Sequence, residues 1–350
     1  MSKTFLLPPQ LEDEQGELRR VGFEFELGNV GVKNLAQGLA RALGGKLSYT
    51  SSFEAILENS SVGKLKIERD THLLTSLAYR DWLSNLGVDF SPGSEGERWE
   101  GNVDNLSRQL IPCEIVTAPI PVTELACLHD IVAVIEDMEG EGTQGSFYYA
   151  FGLHMNPSIP SAESSVLLAY IQSFLLLSDW IIEDAGTDFA RRFFTKYIDP
   201  FPKMYSELIL HPDYRPDISA LMKDYLRYNP TRNRSLDMLP IFYQLDRELV
   251  LGNVKESERH LIKGRPAFHY RLPDCRVGEP GWALEDEWNR WHLVEVLASD
   301  GKKRSDLLES WQREQARFRF SHRAAWVERV QQFVDAQFTE QQSTEQHVRN

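Results

Sequence analysis

The readable part of the chain opens on strict alternation. In GFEFEL, residues 22–27, Phe23, Phe25 and Leu27 fall on one side of an extended backbone, and Glu24 and Glu26 on the other. This pattern predicts a first strand over about 19–27. Apolar residues then recur at helical spacing over 32–43 and stop at Gly44 and Gly45, a helix C-terminal signal. Short extended runs follow at 47–49, 53–57 and 64–69, the last with Lys64, Lys66 and Glu68 alternating against Leu65 and Ile67. Residues 84–108, rich in Gly, Ser, Asn and charge, read as a surface loop. A strand over 111–117 is stopped by Pro119 and Pro121, a helix covers 122–139, and a strand over 147–156 is stopped by Pro157. Ser161 is the expected N-cap of an apolar helix reaching about residue 183. Helical spacing dominates thereafter, at 191–206, 218–228, 236–249, 285–297 and 306–338, the last as one long amphipathic helix or a pair, with one late strand at 266–272.

Strands first, helices second, and strands that alternate: this order predicts an α+β fold on an antiparallel sheet and not a doubly wound parallel one. There is no repeat and no clear linker. The reading is an irregular lead-in over 1–18, one composite domain over 19–300, a helical extension over 301–338 and a Gln-rich tail over 339–350 expected to be disordered. Charge narrows the partners. With 38 basic against 52 acidic residues the net charge is −14, which argues against a nucleic-acid-binding surface while leaving room for a local nucleotide pocket. The longest apolar patch, 166–177, is interrupted by Tyr170, Gln172 and Ser173 and reads as too short and polar for a membrane span; the N-terminus has no signal-peptide core. Cys113, Cys127 and Cys275 are far apart and odd in number, which suits free thiols in a reducing cytoplasm. Neither G-x-G-x-x-G nor a P-loop occurs, so neither standard phosphate cradle is present.

The chemistry lies in polar groups set into apolar strands. Glu24 and Glu26 share a face and repel each other unless a cation sits between them, and the cation suited to oxygen ligands is Mg²⁺ or Mn²⁺. Glu114 sits in PCEIVTAPI; His154 and Asn156 share a face of FGLHMNPS; His269 and Arg271 share one in AFHYRLPDCRV; Asp70 ends KLKIERD. Carboxylates with imidazole on one sheet face make a hard divalent-cation site, and arginines at its edge suit a triphosphate. Arg232, Asn233 and Arg234, between a proline and a predicted helix start, add an electropositive turn.

These segments, in order, resemble a known family. R-x-V-G-F-E-F-E, E-I-V-T-A-P and G-L-H-M-N-P-S look like the amidoligases, grouped with carboxylate–amine ligases of the glutamine synthetase and glutamate–cysteine ligase type; the resemblance covers roughly 19–300. It implies a curved antiparallel sheet, a half-barrel, holding metals, ATP and substrates. It further implies that Glu24, Glu26 and Glu114 bind metal, with Asp70 as a further acid. His154 would contact metal or phosphate, Asn156 would position nucleotide or substrate, and Arg271 would neutralise the transferring phosphoryl group. In one respect the chain departs: related ligases tend to carry a glutamate two residues before that arginine, where His269 stands.

The resulting expectation is ATP-dependent amide-bond formation through an acyl phosphate, with Mg²⁺ or Mn²⁺ and with amino-acid or small-peptide carboxylate and amine substrates. Arg232 and Arg234 would supplement Arg271. Two other readings stay open: a metal-dependent amide hydrolase that needs no ATP, and a degenerate binding protein whose partner surface is the C-terminal stretch carrying Phe318, Phe320, Trp326 and Phe333. That stretch could equally pack on the domain or on a second subunit, as in a homo-oligomer.

Overall fold

The computed structural model describes residues 3–28, 30–69, 112–140, 151–186, 198–316 and 322–349. Among them are β1 (Arg20–Leu27), α1 (Val32–Leu43), β2 (Lys46–Ser51), β3 (Glu54–Ser60), β4 (Gly63–Arg69), β5 (Cys113–Thr117), β6 (Ile120–Pro121), α2 (Leu128–Gly140), β7 (Phe151–Pro157) and α3 (Ser164–Asp184). There follow α4 (Lys203–Ile209), α5 (Ile218–Tyr228), β8 (Leu236–Asp237), α6 (Leu239–Leu245), α7 (Arg247–Asn253), α8 (Glu256–Arg259), β9 (His269–Tyr270), β10 (Asp274–Cys275), α9 (Leu284–Ser299), α10 (Gly301–Gln315) and α11 (His322–Arg349). Asp70, the loop at 84–108, the start of the 191–206 helix, and Phe318 and Phe320 lie outside the described residues.

The strands form one unclosed ten-stranded sheet in the order β2-β3-β4-β5-β1-β7-β9-β8, with β10 on β7 and β6 on β1, and every ladder is antiparallel. The antiparallel α+β expectation is met. β1 lies centrally, between β5 and β7, so both rims of its polar face have neighbours that can add side chains.

One face of the sheet is the core. Phe23, Phe25, Ile115, Ile67, Leu57, Leu153, Met155 and Tyr270 are all buried. α1 covers the β3–β4 end, packed in turn on α2. α3 and α9 cover the β9 end, where Tyr170, Phe174, Phe268, Tyr270 and Trp291 stack with centroid separations of 4.6–6.2 Å. α3 spans 21 residues and by length and composition is apolar enough to cross a membrane, which corrects the reading of 166–177 as too short and polar for a span. Most of that stretch is buried inside the fold, and its apolarity is that of a core helix.

Several local expectations are corrected. α3 begins at Ser164 with Glu163 at the cap position; Ser161 sits earlier, where its Oγ accepts the Glu163 N–H at 3.1 Å in a turn. The run read as one helix over 236–249 is a two-residue strand and two short helices. Leu236 and Asp237 pair with β9, Pro240 sits in the first turn of α6, and Asp246 ends α6 while its side chain caps α7 by accepting the Leu249 N–H at 2.9 Å. The strand read at 266–272 keeps ladder pairing at His269–Tyr270, with an isolated bridge at Ala267. The C-terminal amphipathic stretch, expected as one long helix or a pair, is a pair, Gly301–Gln315 and His322–Arg349.

The α1–β2 connection shows why two glycines follow the helix. Gly45 has φ +91°, and a Cβ there would stand 2.6 Å from the Glu58 carbonyl oxygen and 2.9 Å from the Ser60 nitrogen. Gly45→Ala is expected to cost about 1–3 kcal/mol, read by urea unfolding.

Candidate active site

The polar face of β1 is extended by its neighbours because antiparallel register puts opposed residues on the same side. Glu26 faces Glu114, Glu114 faces Glu68, and Glu68 faces Glu54: four glutamates abreast on four strands. In the adjoining row Glu24 faces Val116 on one side and His154 on the other. On β8 and β9, Asp237 faces His269.

Contacts distribute charge unevenly over these rows. Lys66 serves the outer half, its Nζ 2.6 Å from Glu68 and 3.2 Å from Glu54; burial works against the ammonium, but the two carboxylates carry its pKa above the usual value. Glu24 is well supplied. Its Oε1 accepts from Asn156 Nδ2 at 2.8 Å and lies 3.7 Å from Arg265, and its Oε2 is 3.1 Å from His154 Nδ1 and 3.8 Å from His269 Nε2. Burial opposes its ionisation, but the His154 hydrogen bond, the imidazoles and Arg265 outweigh it and hold the carboxyl well below the usual range. Glu26 Oε2 accepts the Gly152 N–H at 2.7 Å, and Oε1 is 3.6 Å from His154 Nε2.

Glu114 is the exception. Burial first, then the charges of Glu24, Glu26 and Glu68, raise it well above the usual carboxylate range, and it hydrogen-bonds Glu24. A carboxyl–carboxyl hydrogen bond requires a shared proton. Among the described residues, Glu114 stands among three carboxylates, Glu24, Glu26 and Glu68.

At the other rim His269 is 2% exposed. Its Nδ1 is 3.3 Å from Asp237 Oδ2, and its ring stands nearly perpendicular to that of His154 with centroids 5.2 Å apart. Burial lowers its pKa to about 4, so it is neutral at physiological pH. Asp237 accepts, so the ring proton sits on Nδ1, and Nε2, which has no hydrogen-bond partner, presents a lone pair. One ligand atom each from Glu24, His154 and His269 lie within 4.8 Å of one another.

Burial, with Arg232 close by, pulls the Arg271 guanidinium below its ordinary value, against the attraction of Asp237, Glu26 and Glu24. Its Nη1 donates to the Arg232 carbonyl at 2.6 Å. Arg232 Nε lies 3.7 Å from Asp237 Oδ2. Arg234 does not join the group. Its guanidinium donates to Asn229 Oδ1 at 2.8 Å and to the Pro200 and Tyr228 carbonyls at 2.7 and 3.3 Å, which makes it a brace for the preceding turn. Asn233 holds that turn through its backbone, its carbonyl accepting the Asp199 N–H at 2.6 Å and its N–H donating to Thr231 Oγ1 at 3.2 Å.

Three participants escaped the sequence reading. Asp237 stands in a segment read as a helix start; only its alternation with Leu236 marks a strand. Glu68 is, by alternation, one polar position among three in a half-buried strand. Arg265, whose Nη2 donates to Asn156 Oδ1 at 2.6 Å, precedes the late strand and carries no periodic signal.

The donor set suits a divalent cation: carboxylates from three positions, two imidazoles, a buried imidazole nitrogen without a partner, and a Glu114 carboxyl pushed up by burial and its acidic neighbours. Residues 17–293 match the family described as "Putative amidoligase enzyme", and the chain belongs to it. That family points to an amide-bond-forming ligase. No curated protein and no solved structure matches the chain.

Proposed function

We propose that the protein is an ATP- and divalent-metal-dependent carboxylate–amine ligase that activates a carboxylate as an acyl phosphate and transfers the acyl group to an amine. The observation that carries this reading is the clustering of carboxylates on one sheet face, Glu114 in register with Glu26 and Glu68, beside Glu24 and His154. Glu24, Glu26, Glu114 and His154 would hold the metal. Bound there, it would supply charge neutralisation for phosphate oxygens.

The remaining steps fall to the chain's own groups. Arg271, tied to the Arg232 carbonyl, is held at the rim to meet the negative charge of the γ-phosphoryl group as it leaves ADP. Arg265, about one-third exposed and anchored by Asn156, offers a cation to a substrate carboxylate. The carboxylate oxygen attacks the γ-phosphorus and ADP departs. The amine, having shed a proton, attacks the acyl carbon, and inorganic phosphate leaves.

Calorimetric titration with a non-hydrolysable ATP analogue, with Mg²⁺ and separately with Mn²⁺, tests the pocket. Wild type is expected to bind only with metal, and Glu24→Gln to lose binding while its circular dichroism is unchanged. ADP release stimulated only by an acid and an amine together would then establish ligation. A well-folded wild type that binds the analogue with neither metal overturns the reading, and amide hydrolysis with metal alone would replace it with a hydrolase.

A further inference from the structure

Resting on the divalent-metal reading above, we infer that Glu24, His154 and His269 form a two-imidazole, one-carboxylate centre that favours a first-row transition-metal ion such as Mn²⁺ or Co²⁺ over Mg²⁺, with Asp237 as the positioning residue that makes His269 a ligand.

The argument begins with proton placement. An imidazole binds metal through an unprotonated nitrogen, so a ligand histidine needs its other nitrogen to carry the proton and a partner to keep it there. His269 has that arrangement. Asp237 is completely buried; its Oδ1 accepts the Leu239 N–H at 2.9 Å, leaving Oδ2 for His269 Nδ1 at 3.3 Å. Arg232, 3.7 Å from the same Oδ2, supports the carboxylate charge. Nε2 is thereby left unprotonated, lacks any hydrogen-bond partner, and faces Glu24 Oε2 at 3.8 Å. Leaving a buried polar nitrogen unsatisfied is costly unless something else uses the lone pair. His154, 9% exposed at its side chain, supplies the second imidazole, with its nitrogens 3.1 and 3.6 Å from Glu24 and Glu26.

The ligand types then set the ion. Mg²⁺ demands an octahedron of hard oxygens and is poorly served by nitrogen, whereas imidazole suits the later divalent ions. A glutamate at position 269 would give an oxygen-rich centre; the histidine present, held by Asp237, shifts the balance toward nitrogen.

The test uses metal alone, without nucleotide. Co²⁺ titrated into the wild-type protein is expected to develop visible d–d absorption. Most nitrogen and oxygen sites rank Co²⁺ above Mg²⁺, so the decisive quantity is how the ranking changes. In His269→Glu the ratio of Co²⁺ to Mg²⁺ affinity should fall roughly tenfold or more. Asp237→Asn keeps the acceptor for Leu239 but turns an amide N–H toward His269, so the ring proton should move to Nε2. Nitrogen-15 NMR of the imidazole should show that exchange, and Co²⁺ affinity should drop by roughly 10–100-fold, with circular dichroism unchanged. Unchanged Co²⁺ affinity in a folded Asp237→Asn, or an unchanged ion ranking in His269→Glu, overturns the inference. The two readings fail separately: Co²⁺ binding as described with no nucleotide binding would sink the ligase and leave this centre. Nucleotide binding and turnover with Mg²⁺ that His269→Glu does not alter would do the reverse.

Discussion

Glu114→Gln is expected to make the metal-free protein more stable at pH 8 while abolishing metal-dependent nucleotide binding. Burial and the neighbouring Glu24, Glu26 and Glu68 raise the folded-state pKa of Glu114 well above its unfolded value. The sign follows. A carboxyl that binds its proton more tightly when folded contributes stability that is complete below the unfolded pKa and is lost as pH rises through the folded one. Each unit of difference is worth about 1.4 kcal/mol. Chelator-treated wild type should therefore weaken between pH 5 and pH 8. The glutamine variant has no such proton to lose and should weaken less. Glu24 runs the other way: held below the usual range, its contribution is present at neutral pH and fades in acid as pH falls through its folded value. Adding Mn²⁺ at pH 8 should restore wild type by neutralising the clustered carboxylates, and should stabilise Glu114→Gln less, because the glutamine leaves one carboxylate fewer to neutralise. Denaturant midpoints at both pH values, with chelator and with Mn²⁺, carry the comparison. A glutamine variant less stable than chelated wild type at pH 8 would show that Glu114 is stabilised as an anion by groups other than a metal. Such an outcome reflects a general tension: clustering like charges for function raises the free energy of the empty fold.

Period-two alternation made the polar face legible. It separates Glu24 and Glu26 from Phe23 and Phe25, and His154 and Asn156 from Leu153 and Met155, and it needs only local sequence. Pairing is not local. That Glu26 meets Glu114, or Glu24 meets His154, depends on which strands lie beside β1, and β5 and β7 are about ninety and one hundred thirty residues away. Short strands were harder still. β8 and β9 have two residues each, below the length at which alternation can be told from a helix turn, so Asp237 was hidden in an apparent helix. Arg234 failed for a different reason. Two residues from Arg232 it looked equivalent, but this stretch is a bent turn and not a continuous strand, and its guanidinium turned to Asn229 Oδ1 and two backbone carbonyls. Arg265 acts from a non-periodic segment, and its role follows only from its spatial contacts with Asn156 and Glu24.

The motif's leading arginine illustrates a site residue and a fold residue sharing one stretch, and it carries the largest stability effect expected here. Arg19 precedes β1 and is 1% exposed, on the face away from the glutamates. Nη1 and Nη2 grip Glu295 of α9 bidentately at 2.9 and 2.8 Å, Nε and Nη2 reach the Ser158 carbonyl at 2.9 and 2.7 Å, and Nη1 also holds the Gln10 carbonyl at 2.9 Å. Glu295 in turn accepts from Trp291 at 2.9 Å and from the Tyr170 hydroxyl of α3. One ion pair thus fastens the first strand to both helices that back the β9 end of the sheet. Arg19→Met would strand a buried carboxylate with only two neutral donors and should cost about 3–5 kcal/mol by chemical denaturation. Glu295→Met would leave the guanidinium charge uncompensated in the same place and should cost a similar amount. The double variant removes both charges, leaving neutral groups to resettle, the tyrosine and indole donors and the Ser158 and Gln10 carbonyls, so it should be more stable than either single one. Charge compensation in the interior, and not the raw number of hydrogen bonds, is what this cycle isolates. A double variant no better than the sum of the two single losses would mean that packing of the side chains, and not the pairing of Arg19 with Glu295, joins the first strand to its helices.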